Sequence, residues 1–161
     1  LALDAEMRVA GPNGQRSVAA ADFFVTYLTT SMAEDEILTE VRFPKLDGDA
    51  GWSIQELARR QGDFALAGAV ATLALDGSGN CAEARVALFG VGSTPVRASA
   101  AEATVLGERP SEALFEKAAE AAAAGLDEPL SDVHASSAFR RHLAAVMTSR
   151  ALAEAASRAG H

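Results

Sequence analysis

Leu66-Ala67-Gly68-Ala69-Val70-Ala71-Thr72-Leu73-Ala74-Leu75, then Asp76-Gly77-Ser78-Gly79-Asn80, then Cys81-Ala82-Glu83-Ala84-Arg85-Val86-Ala87-Leu88-Phe89-Gly90, is the stretch that decides the fold. The first run is apolar and carries the β-branched Val70 and Thr72. The middle five residues are dense turn chemistry. The third run alternates, with Ala82, Ala84, Val86 and Leu88 against Glu83, Arg85, Ala87 and Phe89. Two β runs around a Gly/Asn turn predict an antiparallel hairpin. A helix over 68–75 is the competing reading, and the adjoining turn favours strand.

Upstream, Trp52 to Arg59 reads as another strand, with Trp52, Ile54, Glu56 and Ala58 on one face. Leu46-Asp47-Gly48-Asp49-Ala50-Gly51 is a loop. Ile37 to Phe43 alternates, Ile37, Thr39, Val41 and Phe43 against Leu38, Glu40 and Arg42, and Pro44 ends it. Ala21 to Tyr27 reads as a helical turn or short helix. Ala5 to Ala10 and Arg16 to Val18 flank Gly11-Pro12-Asn13-Gly14 and form a hairpin.

Downstream of Pro95 the period becomes helical. Ala98 to Leu106 is a short helix closed by Gly107. Ser111 caps a second helix that Gly125 stops. Leu126 to Val133 is a loop. Ser136 or Ser137 caps the longest helix, whose apolar stripe is Phe139, Leu143, Val146, Met147 and Ala151. Arg140, Arg141, His142 and Arg150 lie off that stripe. Strands first and helices last give an α+β fold: a small antiparallel sheet of three or four strands, covered on one face by about three helices.

Bulk composition narrows the function. The 161 residues carry 22 acidic and 14 basic side chains, a net charge of -8. Nucleic acid or an anionic membrane is a poor partner for such a chain. Cys81 is the only cysteine, so there is no disulfide framework and no cysteine set for an iron–sulfur cluster or zinc. Cytosolic residence fits. No apolar run approaches the roughly 20 residues that span a bilayer. The start at Leu1-Ala2-Leu3-Asp4-Ala5, without Met, leads us to expect a piece of a longer polypeptide or a processed product.

No catalytic constellation stands out. Arg59-Arg60-Gln61-Gly62-Asp63 offers guanidinium forks for a phosphate or carboxylate; the plainer reading is one structural ion pair to Asp63. Phe89-Gly90-Val91-Gly92-Ser93-Thr94-Pro95 lacks the rest of a phosphate loop and reads as a turn. His134, His142 and His161 have no paired ligand spacing and read as surface or capping groups. Ser136 beside His134 lacks a nucleophile elbow. Glu34-Asp35-Glu36 reads as a solvated turn. We expect no catalytic and no metal residues, and a small acidic enzyme of another kind has no nucleophile–base pair to support it.

Several segments, taken in order, resemble one family. They are Phe23-Phe24, Thr29-Thr30, Glu36-Ile37-Leu38 to Pro44, Ala58-Arg59-Arg60-Gln61-Gly62-Asp63-Phe64-Ala65-Leu66-Ala67, Cys81 to Ala98, and Asp132 to Leu143. They are similar to the flavoprotein subunit of molybdenum hydroxylases, nearest the carbon monoxide dehydrogenase-like branch, with xanthine dehydrogenase in the wider family. The resemblance implies that residues 1–30 end an FAD-binding domain and that 31–161 form its C-terminal α+β domain. It implies FAD as cofactor in the whole subunit. It further implies a molybdopterin-binding large subunit and an iron–sulfur small subunit as partners, and electron transfer from iron–sulfur clusters through flavin to an acceptor. Two cofactor positions carry over. Leu38 matches a residue that lines the flavin by backbone and apolar contact. Gln55 matches a position where some members place a Lys against the cofactor. The A-G-G and T-x-G-G loops that hold FAD in the family are absent here, so the chain alone should bind flavin poorly. The alternative is a docking or assembly module that binds no flavin of its own.

Overall fold

The computed structural model describes residues 1–46 and 48–160. The chain divides into two compact units, one of Leu1 and Leu3–Leu46, the other of Ala2 and Asp47–His161. The expected boundary at residues 30 and 31 falls inside the first unit. Ile37–Arg42 pairs with Glu6–Gly11, so this strand belongs with what precedes it.

The first unit holds β1 (Glu6–Gly11), β2 (Gly14–Ala19), α1 (Ala20–Phe23), β3 (Phe24–Thr26), β4 (Thr29–Thr30) and β5 (Ile37–Arg42). Its three-stranded sheet runs β2-β1-β5, and β3 and β4 form a separate ribbon. Its core is small: Ala5, Met7, Val9, Val18, Ala20 and Phe23. The expected helical stretch over 21–27 shrinks to the single turn of α1, because Phe24–Thr26 pairs with Thr29–Thr30 instead.

The alternation expected along β5 is broken. Met7 faces Val41 and Arg8 faces Glu40, but Val9 faces Leu38 and Ala10 faces Ile37. One extra residue, Thr39, is accommodated as a bulge, and its hydroxyl donates to the Arg8 carbonyl at 3.0 Å. A bulge shifts the pleat by one residue. Leu38 therefore shares a face with Val41, Met7 and Val9, not with Glu40 and Arg42.

The second unit holds β6 (Gly51–Ala58), β7 (Ala65–Leu75), β8 (Cys81–Phe89), β9 (Val96–Arg97), α2 (Ser99–Val105), α3 (Glu112–Ala124) and α4 (Ser137–Arg158). Its sheet is an antiparallel meander, β6-β7-β8-β9. The β7–β8 hairpin forms as expected, with Val70 opposite Ala87 and Leu73 opposite Ala84. Asp76 makes the turn by accepting the backbone N–H groups of Ser78 and Asn80 at 2.8 and 3.0 Å. Strand β9 is an addition of two residues that carry no alternation of their own.

Helix α4 lies on β6 and β7, α2 lies on β8, and α3 packs on both helices. The helix ends follow local grammar. Ser111 and Ser136 accept from Leu114 N and Phe139 N, each at 3.2 Å. Gly107, one past the Leu106 C-cap of α2, adopts φ +78°. The buried stripe of α4 is Arg140, Leu143, Ala144, Met147, Thr148, Ala151, Leu152 and Ala155. It is rotated from the expected stripe: Phe139 is 44% exposed, while Arg140, expected off the stripe, is 4% exposed. The reason is polar. Arg140 Nη1 donates to the carbonyls of Leu66 and Gly90 at 2.6 and 2.8 Å, and Nη2 to Asp132 Oδ2 at 2.7 Å.

Candidate functional site

The two residues carried over by resemblance sit in different units. Leu38 is on β5, over the Val9 side of the sheet, and 38% exposed. It presents an apolar side chain to solvent.

Gln55 is on β6, opposite Ala69 of β7. Its surroundings grow from small residues. Gly51 and Ser53 on β6, and Ala67, Ala69 and Ala71 on β7, offer α4 almost no side-chain bulk. A Cβ on Gly51 would stand 1.8 Å from the carbonyl oxygen of Ala155. The helix backbone therefore rests directly on the strand. Ser53 is fully buried beneath it, and a buried hydroxyl needs a partner. Glu154 of α4 provides one, at 2.6 Å from Ser53 Oγ. The same oxygen, Oε2, accepts from Gln55 Nε2 at 2.6 Å, and Gln55 Nε2 also donates to Ser53 Oγ at 3.2 Å. Arg158 closes the cluster, with Nη2 at 2.5 Å from Glu154 Oε1, Nη1 donating to the Trp52 carbonyl at 2.7 Å, and its guanidinium 4.8 Å from the centre of the Trp52 ring. The hydrogen bond from Ser53 is the main cause holding the Glu154 carboxyl below its usual range, helped by the Arg158 charge.

Sequence reading missed Ser53, Glu154 and Arg158. The Glu154–Arg158 spacing of four was visible as a helix-face pair, but its strand partners lie about 100 residues away.

The remaining candidates resolve simply. Arg59 Nη2 meets Asp63 Oδ2 at 3.0 Å, and only one of the two arginines makes this pair. Gly90 turns the chain at φ +74°. His134 and His142 are exposed, and His161 lies outside the described residues. Glu36 departs from the solvated-turn reading. It accepts Arg16 Nε and Nη2 at 2.7 Å each and the Ala33 N–H at 2.8 Å. Cys81 is buried, and burial pushes its thiol up, which makes it a poor nucleophile. Among the described residues no group of three or more His, Cys, Asp or Glu could hold a metal. No helix among them is long and apolar enough to cross a membrane.

A flavin ring needs apolar surface and hydrogen-bond partners at its polar edge. Leu38 is a side chain of the first kind, and Gln55, in the other unit, one of the second. The chain brings no glycine-rich loop for the diphosphate. Each residue, taken by itself, is of a kind that suits the ring end of the cofactor and not its phosphates.

Residues 52–155 match the family model described as the CO dehydrogenase flavoprotein C-terminal domain. The chain belongs to this family. Residues 1–46 match a second model, the FAD binding domain in molybdopterin dehydrogenase. The CO dehydrogenase flavoprotein C-terminal domain thus begins just past the division between the two compact units. Among similar proteins is subunit alpha of the 6-hydroxypseudooxynicotine dehydrogenase complex of Paenarthrobacter nicotinovorans, 35% identical over 99% of this chain and 53% of its own length. The medium chain of carbon monoxide dehydrogenase from Hydrogenophaga pseudoflava is 32% identical over 94% of this chain and 52% of its own length. A solved structure of carbon monoxide dehydrogenase from that organism superposes with TM-score 0.93 at 34% identity, over 99% of this chain and 55% of the other. Quinoline 2-oxidoreductase from Pseudomonas putida 86 gives 0.89 at 38% identity, over 97% and 53%. The chain spans about half the length of the curated relatives it matches.

Proposed function

We propose that this chain acts within the FAD-carrying subunit of a molybdenum hydroxylase complex. There it helps hold the flavin and dock the neighbouring subunits. The observation that carries the reading is the pair of consecutive matches, an FAD binding domain over 1–46 and the flavoprotein C-terminal domain over 52–155. Bound FAD would supply the redox chemistry, taking electrons from iron–sulfur clusters and passing them to an acceptor. The protein's share is placement. Leu38 offers apolar contact to the ring, and Gln55 a polar group at its edge. The partners in this reading are a molybdopterin-binding large subunit and an iron–sulfur small subunit. Cytosolic residence belongs to the same proposal.

The relatives named above act on chemically unlike substrates by their names, yet resemble this chain to similar degrees. This supports a common flavin-bearing part, with substrate choice made elsewhere in the complex.

Titration of the purified protein with FAD and with riboflavin, read by flavin fluorescence and absorbance, tests the proposal. The expected result is weak, saturable binding of similar strength for both, because the ring and not the diphosphate is held. Leu38→Ala should weaken it. No saturable binding by a protein that is folded by circular dichroism would overturn the reading and leave a docking module in its place.

A further inference from the structure

We infer that Glu154 is a positioning residue for Gln55: it turns the side-chain amide so that the carbonyl oxygen, not the amino group, is offered to the cofactor. The inference rests on the reading above that Gln55 meets the flavin. What it adds is the chemistry of the contact and the residue that sets it.

Donor and acceptor chemistry sets the orientation of the amide. An ionised carboxylate accepts only, and a glutamine amide has two N–H donors at one end and an acceptor at the other. Glu154 Oε2 stands 2.6 Å from Gln55 Nε2. Rotating the amide by half a turn would set two oxygens, both acceptors, at that distance, which is repulsive. Ser53 favours the same orientation. Its hydroxyl gives its hydrogen to Glu154 Oε2 at 2.6 Å, so its lone pairs face Gln55 Nε2 at 3.2 Å. Nε2 is then held on the Glu154–Ser53 side by two neighbouring acceptors, and Gln55 Oε1 has no protein partner among the described residues. Arg158 holds the other oxygen of Glu154 from its exposed side, which fixes the carboxylate that fixes the amide.

The ligand group that fits a free amide oxygen is an N–H or O–H donor. On a flavin that is a ring N–H, either one present in both redox states or one gained on reduction. The first case changes affinity for both states equally. The second changes affinity for the reduced state and shifts the midpoint potential.

Two measurements on the 161-residue protein separate this inference from the reading it rests on. The first needs no flavin. The Gln55 side-chain amide protons, followed by NMR, should be slow to exchange with solvent. Glu154→Gln should abolish that protection, because a neutral amide can meet Gln55 in either orientation. Free-glutamine behaviour in the parent protein, or no change in the variant, overturns the positioning role. The second is a double-mutant cycle on riboflavin affinity. Gln55→Ala and Glu154→Gln should each weaken binding roughly tenfold, the scale of one oriented hydrogen bond. Glu154→Gln should add nothing in the Gln55→Ala background. Additive losses would mean that Glu154 acts through the fold and not through Gln55. If Leu38→Ala weakens binding while Gln55→Ala does not, flavin binding stands and the contact at Gln55 is overturned. If the parent protein binds no riboflavin, the functional reading fails, the role toward the cofactor falls with it, and the NMR result alone decides the amide orientation.

Discussion

Arg140 and Glu36 show what a single residue can hide. By sequence Arg140 falls off the apolar stripe of its helix and Glu36 in a solvated turn, yet each ties together segments far apart in sequence. Arg140 reaches the Leu66 carbonyl 74 residues back and the Gly90 carbonyl 50 back; Glu36 reaches Arg16 at a separation of 20. Caps such as Ser111 and Ser136 were legible because their partners lie three residues on. Long-range acceptors leave no local trace. Arg140→Met keeps most of the buried volume and removes the donors. It should strand two carbonyls and cost about 3 kcal/mol, read as a lower denaturant midpoint, whereas Arg150→Met at an exposed position should cost little. Glu36 carries a pH prediction. Its carboxyl is pulled from about 4.5 down to about 2, first by the Arg16 hydrogen bonds and then by the Ala33 N–H. A depressed folded-state pKa adds stability above the ordinary value and loses it on acidification. The stability gap between the parent and Glu36→Gln should be constant above pH 5, narrow as pH falls below about 4.5, and vanish near pH 2. A gap that widens on acidification would refute the assignment.

At the scale of elements, what was legible was periodicity, and what was not was pairing. The β7–β8 hairpin, α2, α3 and α4 all follow patterns contained in their own residues. The bulge at Thr39 does not, because an extra residue in β5 is defined only against β1. The rotation of α4 has the same origin: its buried face depends on how closely the strands let it approach. Gly51 sets that approach, with Ala155 O at 1.8 Å from where a Cβ would stand. Gly51→Ala must push α4 off β6. We expect a loss of about 1–3 kcal/mol, the range of overpacked sites, together with a disturbed Ser53–Glu154 contact. Gly77→Ala, where a Cβ would meet nothing within 4 Å, is the matched control and should be near neutral. Equal effects from the two substitutions in urea denaturation would remove the close-approach argument.

For the whole molecule, the order of strands then helices gave the α+β class of the second unit, but not where that unit begins. Ile37 to Phe43 reads equally well as the last strand of one sheet or the first of the next. Only its pairing with β1 decides, and pairing partners are not written in a strand's own alternation. The two units also differ in what holds them. The core of the second unit joins β7 and β8 to all three helices, through Leu73, Leu88, Val105, Phe115 and Leu152 among others. The first unit buries six side chains, two of them Ala, and leaves Phe24, Tyr27, Leu28, Ile37 and Phe43 exposed. Burial of apolar area is the main favourable term, so the first unit should be the weaker one. Backbone hydrogen exchange by mass spectrometry should show β7 and β8 protected to the global limit, and β1, β2 and β5 opening at lower free energy. Leu88→Ala, in the larger core, should cost about 2–5 kcal/mol and lower protection in β7 and β8. Val9→Ala should act on β1, β2 and β5 while leaving β7 and β8 protected. If Val9→Ala instead lowers protection across both units by the same amount, the two cores unfold as one cooperative body, and the division into units describes contacts without describing stability.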